Sequence, residues 1–234
     1  MQFPITSPRA GTDNSIDAIN VGSHFLRGPK LIPVSKMRLK QRVRGLTAYS
    51  HIGSRASESS KVRTLHQLLG IDPRFSERHG LPQQIEANVL SLCGLDGLGR
   101  EFWLAPAALL AWRALKAAAL ADRIPLVEIS GFRSVEYQAA LIRGKLRQGQ
   151  TMAQILQVSA APGFSEHHTG RAIDIASLAE LKSRAFLTEA FELTESYLWL
   201  TQNAARFGFT QSFARNNRHG IAYEPWHWFF KSRA

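Results

Sequence analysis

The sequence predicts an α+β domain built on a small antiparallel sheet, and three observations carry that expectation. Helix-period apolar stripes and short strand-like runs are interspersed along the chain without a βαβ rhythm, which argues for an antiparallel sheet with helices packed on it. The composition is that of a globular chain, with 44% hydrophobic and 20% charged residues. At 234 residues, and about 150 residues per domain, the chain suits one large domain or one domain plus an extension. A domain of this size buries on the order of 70% of its unfolded surface, so it needs no disulfide staples. The lone Cys93 excludes both a disulfide framework and a Cys-rich zinc ribbon.

Each element follows from local signals. Residues 64–100 lack clear periodicity, because Gly70, Pro73, Gly80, Pro82, Gly94, Gly97 and Gly99 cut the segment into short pieces. A helix begins at Pro106, whose fixed φ suits a first turn. Leu109, Trp112, Leu115 and Ala119 then recur at helical spacing up to Asp122, and Pro125 ends the element. Leu126 to Ile129 reads as a short strand. Ser134 is placed to cap a second helix that carries Val135, Ala139, Ile142 and Leu146 on one face. A loop with Pro162 and Gly163 leads to a strand at Arg171 to Ala176. A third helix carries Tyr197, Leu200, Ala204 and Phe207 and stops at Gly208. Phe209 to Phe213 alternates as a strand, Asn216 to Gly220 forms a turn, and Trp226, Trp228, Phe229 and Phe230 form a final aromatic strand.

Charge divides the chain unevenly. The net charge is +11, and residues 1–65 hold 11 Lys and Arg against 3 acids. That stretch is rich in Ser, Gly, Pro and Arg and has no long apolar periodicity. Residues 1–61 are therefore expected to form a basic, poorly ordered arm ahead of a folded domain at 62–234. No aromatic residues alternate with the basic ones as a stacking platform needs, so no specific nucleic-acid partner is expected. The first 30 residues show no apolar core of a secretion signal, and no run of about 20 apolar residues offers a transmembrane span. The chain as written thus reads as cytoplasmic, and its sequence leaves the oligomeric state open.

The chemistry-bearing residues fall in three places. Ser165-Glu166-His167-His168-Thr169-Gly170-Arg171-Ala172-Ile173-Asp174 is followed about fifty residues later by Tyr223-Glu224-Pro225-Trp226-His227-Trp228. A catalytic zinc site needs three protein ligands and one open position. His167, Asp174 and His227 supply two imidazoles and one carboxylate, which leave a residual charge of about +1 to acidify a bound water. Glu224 is the candidate general base. It stands three residues before His227, a spacing that points side chains to opposite faces of a regular strand. Pro225 is expected to break that alternation with a bend that turns both into one cleft. Arg133, in Ser130-Gly131-Phe132-Arg133-Ser134, stands at a strand–helix junction where it can hold a carboxylate or an oxyanion, and Gln138 can add a polar contact. Taken singly, these residues have plainer readings: a structural His–Asp hydrogen bond, core tryptophans, a surface arginine. His24, His51, His66, His79 and His219 are assigned to such readings, and His168 is expected to point away from the site.

The order and spacing of these motifs resemble the VanY-type D-alanyl-D-alanine carboxypeptidases, zinc peptidases that share a fold with the Hedgehog signalling domain. The resemblance covers roughly residues 100–234. It implies a Hedgehog/DD-peptidase-like α+β fold with one zinc ion in a cleft, held by His167, Asp174 and His227. It implies Glu224 as catalytic base, Arg133 as a residue that binds substrate or stabilises the transition state, and Gln138 and Ser165 as lining of the substrate pocket. The implied substrate is a peptidoglycan stem peptide losing its C-terminal D-alanine, which places the action in the cell envelope, whereas this chain shows no signal or anchor. L,D-carboxypeptidase or endopeptidase activity by the same zinc mechanism, or a zinc-binding module without catalysis, are the alternatives.

Overall fold

The computed structural model describes residues 39–43, 46–50 and 55–231, and within them two four-stranded antiparallel sheets. The first runs in the order β1 (Leu39–Val43), β2 (Leu46–Ser50), β3 (Val89–Leu95) and β4 (Glu101–Leu104). The second contains β5 (Leu126–Ser130), β6 (Ala172–Ser177), β7 (Phe209–Gln211) and β8 (His227–Phe230), with β8 inserted between β6 and β7. The helices are α1 (Arg55–Leu69), α2 (Phe75–His79), α3 (Pro106–Ala121), α4 (Val135–Arg147), α5 (Met152–Gln157), α6 (Leu178–Ser183) and α7 (Glu195–Asn203). Tight 3-10 turns cover Glu166–Thr169, Glu189–Leu193 and Ala204–Phe207. Among the described residues, no helix is long and apolar enough to cross a membrane.

The α+β class and the antiparallel pairing agree with the sequence reading, and α3, α4 and the strands of the second sheet lie where it puts them. Ser134 caps α4, its Oγ accepting from the Tyr137 N–H at 3.0 Å. The third helix tightens to a 3-10 turn after Asn203 and ends at Gly208, which sits at φ 79°. Trp226, expected in the last strand, lies instead in the turn before β8.

Two expectations need correction. The first sheet was not foreseen. Its β3–β4 hairpin is closed by Asp96, whose Oδ1 accepts from the N–H groups of Leu98 and Arg100 at 2.9 Å, and Gly94, Gly97 and Gly99 lie in that hairpin, whereas Gly70 and Gly80 end α1 and α2. Regular structure also starts upstream of Val62, because β2 pairs with β3 and α1 begins at Arg55. Composition does not reveal partners forty residues away. The rest of the expected basic arm lies outside the described residues.

One large apolar cluster packs against the second sheet, and a second joins α1, α4 and α5. Ile173, Ile175, Trp228 and Phe230 pack with Leu109, Trp112, Leu115 and Ala119 of α3 and with Trp199 and Leu200 of α7. Val62 and Leu69 of α1 pack with Val135, Ala139 and Ile142 of α4, Ile155 of α5, Phe164 and Phe213. Side chains alternate along a strand. Ile173 and Ile175 therefore commit β6 to the first cluster, and Asp174 is turned to the opposite face, toward Arg133 and His167.

Gly170 joins the turn carrying His167 to β6. It sits at φ +65°, and a Cβ there would come within 2.8 Å of the Ala105 backbone nitrogen and 2.7 Å of Leu90 Cδ2. Gly170→Ala is expected to destabilise the protein by about 2–4 kcal/mol, the left-handed backbone and the overpacking acting together. Urea unfolding measures this, and a loss below about 1 kcal/mol would show that the Ala105 backbone gives way.

Candidate active site

Asp174 and His227 are brought together by strand register, since they oppose each other directly across β6 and β8. His167 arrives from the 3-10 turn that precedes β6. Its Nδ1–H donates to the Gly131 carbonyl at 2.6 Å, which leaves Nε2 as an acceptor facing inward. The inward atoms lie close: His167 Nε2 is 3.3 Å and His227 Nδ1 is 3.1 Å from Asp174 Oδ1. One ligand atom from each of the three residues falls within 4.8 Å of the others, and all three residues are buried.

Arg133 is held over this cluster. Its Nη2 donates to His167 Nε2 at 2.7 Å and to Asp174 Oδ2 at 2.5 Å. Its Nε donates to Ser130 Oγ at 3.0 Å, and its Nη1 to Gln138 Oε1 at 3.4 Å. Glu224 also reaches the cluster. The chain turns at Glu224–Pro225, with the His227 N–H donating to the Glu224 carbonyl at 3.2 Å. This is the bend expected at that proline, and it leaves Glu224 Oε2 3.9 Å from His227 Nδ1.

Gln138 departs from the sequence expectation. It is 1% exposed, and both ends of its amide are engaged: Oε1 accepts from Arg133, and Nε2 donates to the Ala160 carbonyl at 2.9 Å. It therefore positions the guanidinium and does not line an open pocket, because a buried amide must satisfy its own polar atoms first. Ser165 is buried at the head of the 3-10 turn and makes no side-chain bond to that turn.

Three further residues shape the site. Glu166 Oε2 accepts from His227 Nε2 at 2.9 Å. His168 is fully buried and points away, as expected. Its Nδ1–H donates to the Arg133 carbonyl at 2.6 Å and its Nε2 accepts from the Gly163 N–H at 3.0 Å, so it pins the Arg133 loop to the Pro162-Gly163 loop. Glu86 accepts from the Val135 N–H at the start of α4 and from Lys61 Nζ. The sequence carried a signal only for Glu166: an acid next to a proposed ligand is a candidate outer partner for a metal-bound histidine.

Electrostatics sort the roles. Burial lowers His167 to about 4, helped by the Arg133 cation, so its ring is a neutral donor atom. Burial opposes charge on His227 too, but the carboxylates of Asp174 and Glu166 on its two nitrogens outweigh that and raise it to about 10. Burial alone would raise Asp174, yet His167 and Arg133 hold it well below the usual carboxylate range. Glu224 is the exception among the acids: burial pushes it up to about 7, Asp174 adds to the rise, and His227 and Arg133 only partly offset it. Cys93 offers no nucleophile, since burial pushes its thiol up to about 12.

The donor set fits a zinc ion. Tetrahedral ligands at about 2.0–2.1 Å from zinc stand roughly 3.3–3.5 Å apart, close to the 3.3 and 3.1 Å that separate Asp174 Oδ1 from the two ring nitrogens. The lone pairs of His167 Nε2 and Asp174 already converge on a positive group, the Arg133 guanidinium. For His227 to coordinate through Nδ1, the proton facing Asp174 leaves, and Nε2–H stays on Glu166.

Residues 101–233 match the family described as VanY, D-alanyl-D-alanine carboxypeptidase. The chain is 35% identical over 114 residues to YodJ of Bacillus subtilis (strain 168), covering 47% of this chain and 40% of that protein. It is 32% identical over 121 residues to a D-alanyl-D-alanine carboxypeptidase of Enterococcus faecalis (strain ATCC 700802 / V583), covering 47% of this chain and 42% of that protein. It thus spans less than half the length of these curated relatives. Among solved structures, VanYB in complex with D-alanine-D-alanine is 26% identical, with 64% of this chain and 80% of that chain covered and a TM-score of 0.48.

Two measurements test this geometry. Glu166→Gln is expected to weaken zinc binding about 10- to 100-fold, the usual effect of removing an outer carboxylate from a metal-bound histidine. Competition with a chromophoric chelator reads this, and an unchanged affinity would remove Glu166 from the site. His168 sets a pH dependence. Burial lowers it from 6.5 to about 4 in the folded chain. The unfolded chain takes its proton first, so the contribution of the neutral ring is complete above pH 6.5 and is lost as the pH falls towards 4, amounting to about 3 kcal/mol. The unfolding free energy should therefore fall less steeply over this range in His168→Gln. An identical slope would show that His168 does not stay neutral.

Proposed function

Since the chain belongs to the VanY family of D-alanyl-D-alanine carboxypeptidases, we propose that it is a zinc-dependent carboxypeptidase that removes the C-terminal D-alanine from peptidoglycan stem peptides. The observation that carries this reading is the position of Glu224. Its carboxyl group is buried beside the three ligand candidates but is not one of the convergent donor atoms, and it is raised to about 7. A site that only bound a structural metal has no use for a carboxylate poised there, whereas a general base works best when its pKa lies near the working pH.

His167, Asp174 and His227 would hold the zinc. When bound, zinc supplies Lewis-acid polarisation of the scissile carbonyl and lowers the pKa of a water. Glu224 takes the proton of the attacking water and delivers it to the nitrogen of the departing D-alanine, so the proton leaves with the amine and the carboxylate is restored. Arg133 donates to the oxygen that gains negative charge as the carbonyl is attacked. Ser130 and Gln138 fix two other N–H groups of that guanidinium, so little reorganisation is left for the moment of reaction. Gly131 and Glu166 hold the two imidazoles in the orientations that ligation needs.

Zinc-loaded protein incubated with a stem pentapeptide should release one terminal alanine, read by mass spectrometry. Cleavage of tetrapeptides or cross-links alone would move the specificity and keep the mechanism. No cleavage with zinc bound would leave a non-catalytic zinc module. Glu224→Gln should keep zinc at the wild-type stoichiometry and lose about 100- to 10,000-fold in turnover. Turnover retained in that variant would refute the base assignment.

A further inference from the structure

α4 carries a second cation toward this cleft. Gln138 and Lys145 are seven residues apart, two helical turns, and so share a face. Helical side chains lean toward the N-terminus, which lays the Lys145 stem over the turn between the two. Their partners are consecutive residues of the facing loop: Gln138 Nε2 donates to the Ala160 carbonyl at 2.9 Å, and Lys145 Nζ to Ser159 Oγ at 2.8 Å. That loop runs on to Ser165, directly before the turn that carries His167. Arg133, Gln138 and Lys145 thus form a row along one loop, with Arg133 at the ligand end.

Lys145 stands within electrostatic reach of both Arg133 and Glu224. Burial and the Arg133 cation bring its ammonium down to about 8, and the Glu224 carboxylate opposes this. Two cations on one side of a partly buried cleft favour the entry of an anionic group there. The chemistry of the proposed reaction identifies that anion. Glu224 hands its proton to the leaving nitrogen, which belongs to the terminal residue, and the terminal carboxylate is only two bonds from that nitrogen. A cation held on Ser159, one residue from the carbonyl that Gln138 grips, and whose charge is felt at Glu224, is therefore placed to attract that carboxylate.

We propose that Lys145 binds the C-terminal carboxylate of the substrate and sets the preference for a free chain end over an amidated or internal one. This rests on the carboxypeptidase reading and names its specificity determinant. The test compares wild type, Lys145→Met and Lys145→Arg on a D-alanyl-D-alanine-terminated peptide and on its C-terminal amide. Lys145→Met should raise KM for the acid about 10- to 100-fold, the scale of a lost hydrogen bond between charged groups, with a much smaller change in kcat. It should affect the amide far less, and Lys145→Arg should recover most of the preference. A calorimetric titration with D-alanyl-D-alanine and its amide reads the same discrimination without turnover. Equal losses on acid and amide, or an unchanged KM for the acid, would overturn the assignment. If wild type releases no alanine from any peptide, the carboxypeptidase reading fails. The titration then still decides whether Lys145 selects a carboxylate: a preference for the acid that disappears in Lys145→Met supports it, and no preference overturns it.

Discussion

The register in which β6 pairs with β8 sets Asp174 directly across from His227, and the geometry of the cleft depends on that pairing. Opposed residues of an antiparallel pair have Cβ atoms about 4.5–5.5 Å apart, close enough for a carboxylate oxygen to meet a ring nitrogen. A slip of one residue would set Asp174 opposite Trp228, or Ile173 opposite His227, and turn one of the two strands over, carrying its polar side chain into the core. The slip is opposed from the other face. Ile173, Ile175, Trp228 and Phe230 are buried against α3 and α7, so the apolar packing that stabilises the domain also fixes the spacing of its polar cluster.

Charge concentrated in a buried place has to be compensated. The desolvation penalty is several kcal/mol for each buried ion, and it is recovered only with good geometry and further hydrogen bonds. Asp174 meets His167, His227 and Arg133; His227 lies between Asp174 and Glu166; Arg133 spreads its N–H groups over Ser130, Gln138, His167 and Asp174. Backbone bonds extend the order outward. The Arg133 N–H donates to the His167 carbonyl, and the Arg133 carbonyl accepts from His168. Glu86 and Lys61 then tie the start of α4 to α1. Glu224 sits at the margin of this compensation and alone among these acids is raised, which is the property that acid–base chemistry requires.

α4 connects the two halves of the arrangement. Arg133, whose guanidinium contacts the ligand cluster, stands just before its first turn, and Gln138 and Lys145 on one face bond to Ala160 and Ser159 of the facing loop. Under the proposed function, recognition of the chain end and activation of the scissile bond would share one rigid element, which would lower the cost of orienting a flexible peptide.

Features that depend on near neighbours were legible in the amino-acid order. Pro106, Ser134 and Gly208 marked helix ends because capping is a property of a few adjacent residues. The apolar spacing of α3 marked its buried face, and Pro225 marked the turn that brings Glu224 to His227. The motif spacings also singled out His167, Asp174 and His227, since ligand chemistry admits few residue types. The remainder came from how distant segments meet in the folded chain. The pairing of β2 with β3, the bond from Glu166 to a histidine 61 positions away and the reach of Lys145 along its loop are contacts between distant segments. The withdrawal of Gln138 from the pocket has the same origin. A side chain's type states what it can bond to, but which partner it finds is set by chain reversals and strand registers that no local pattern encodes.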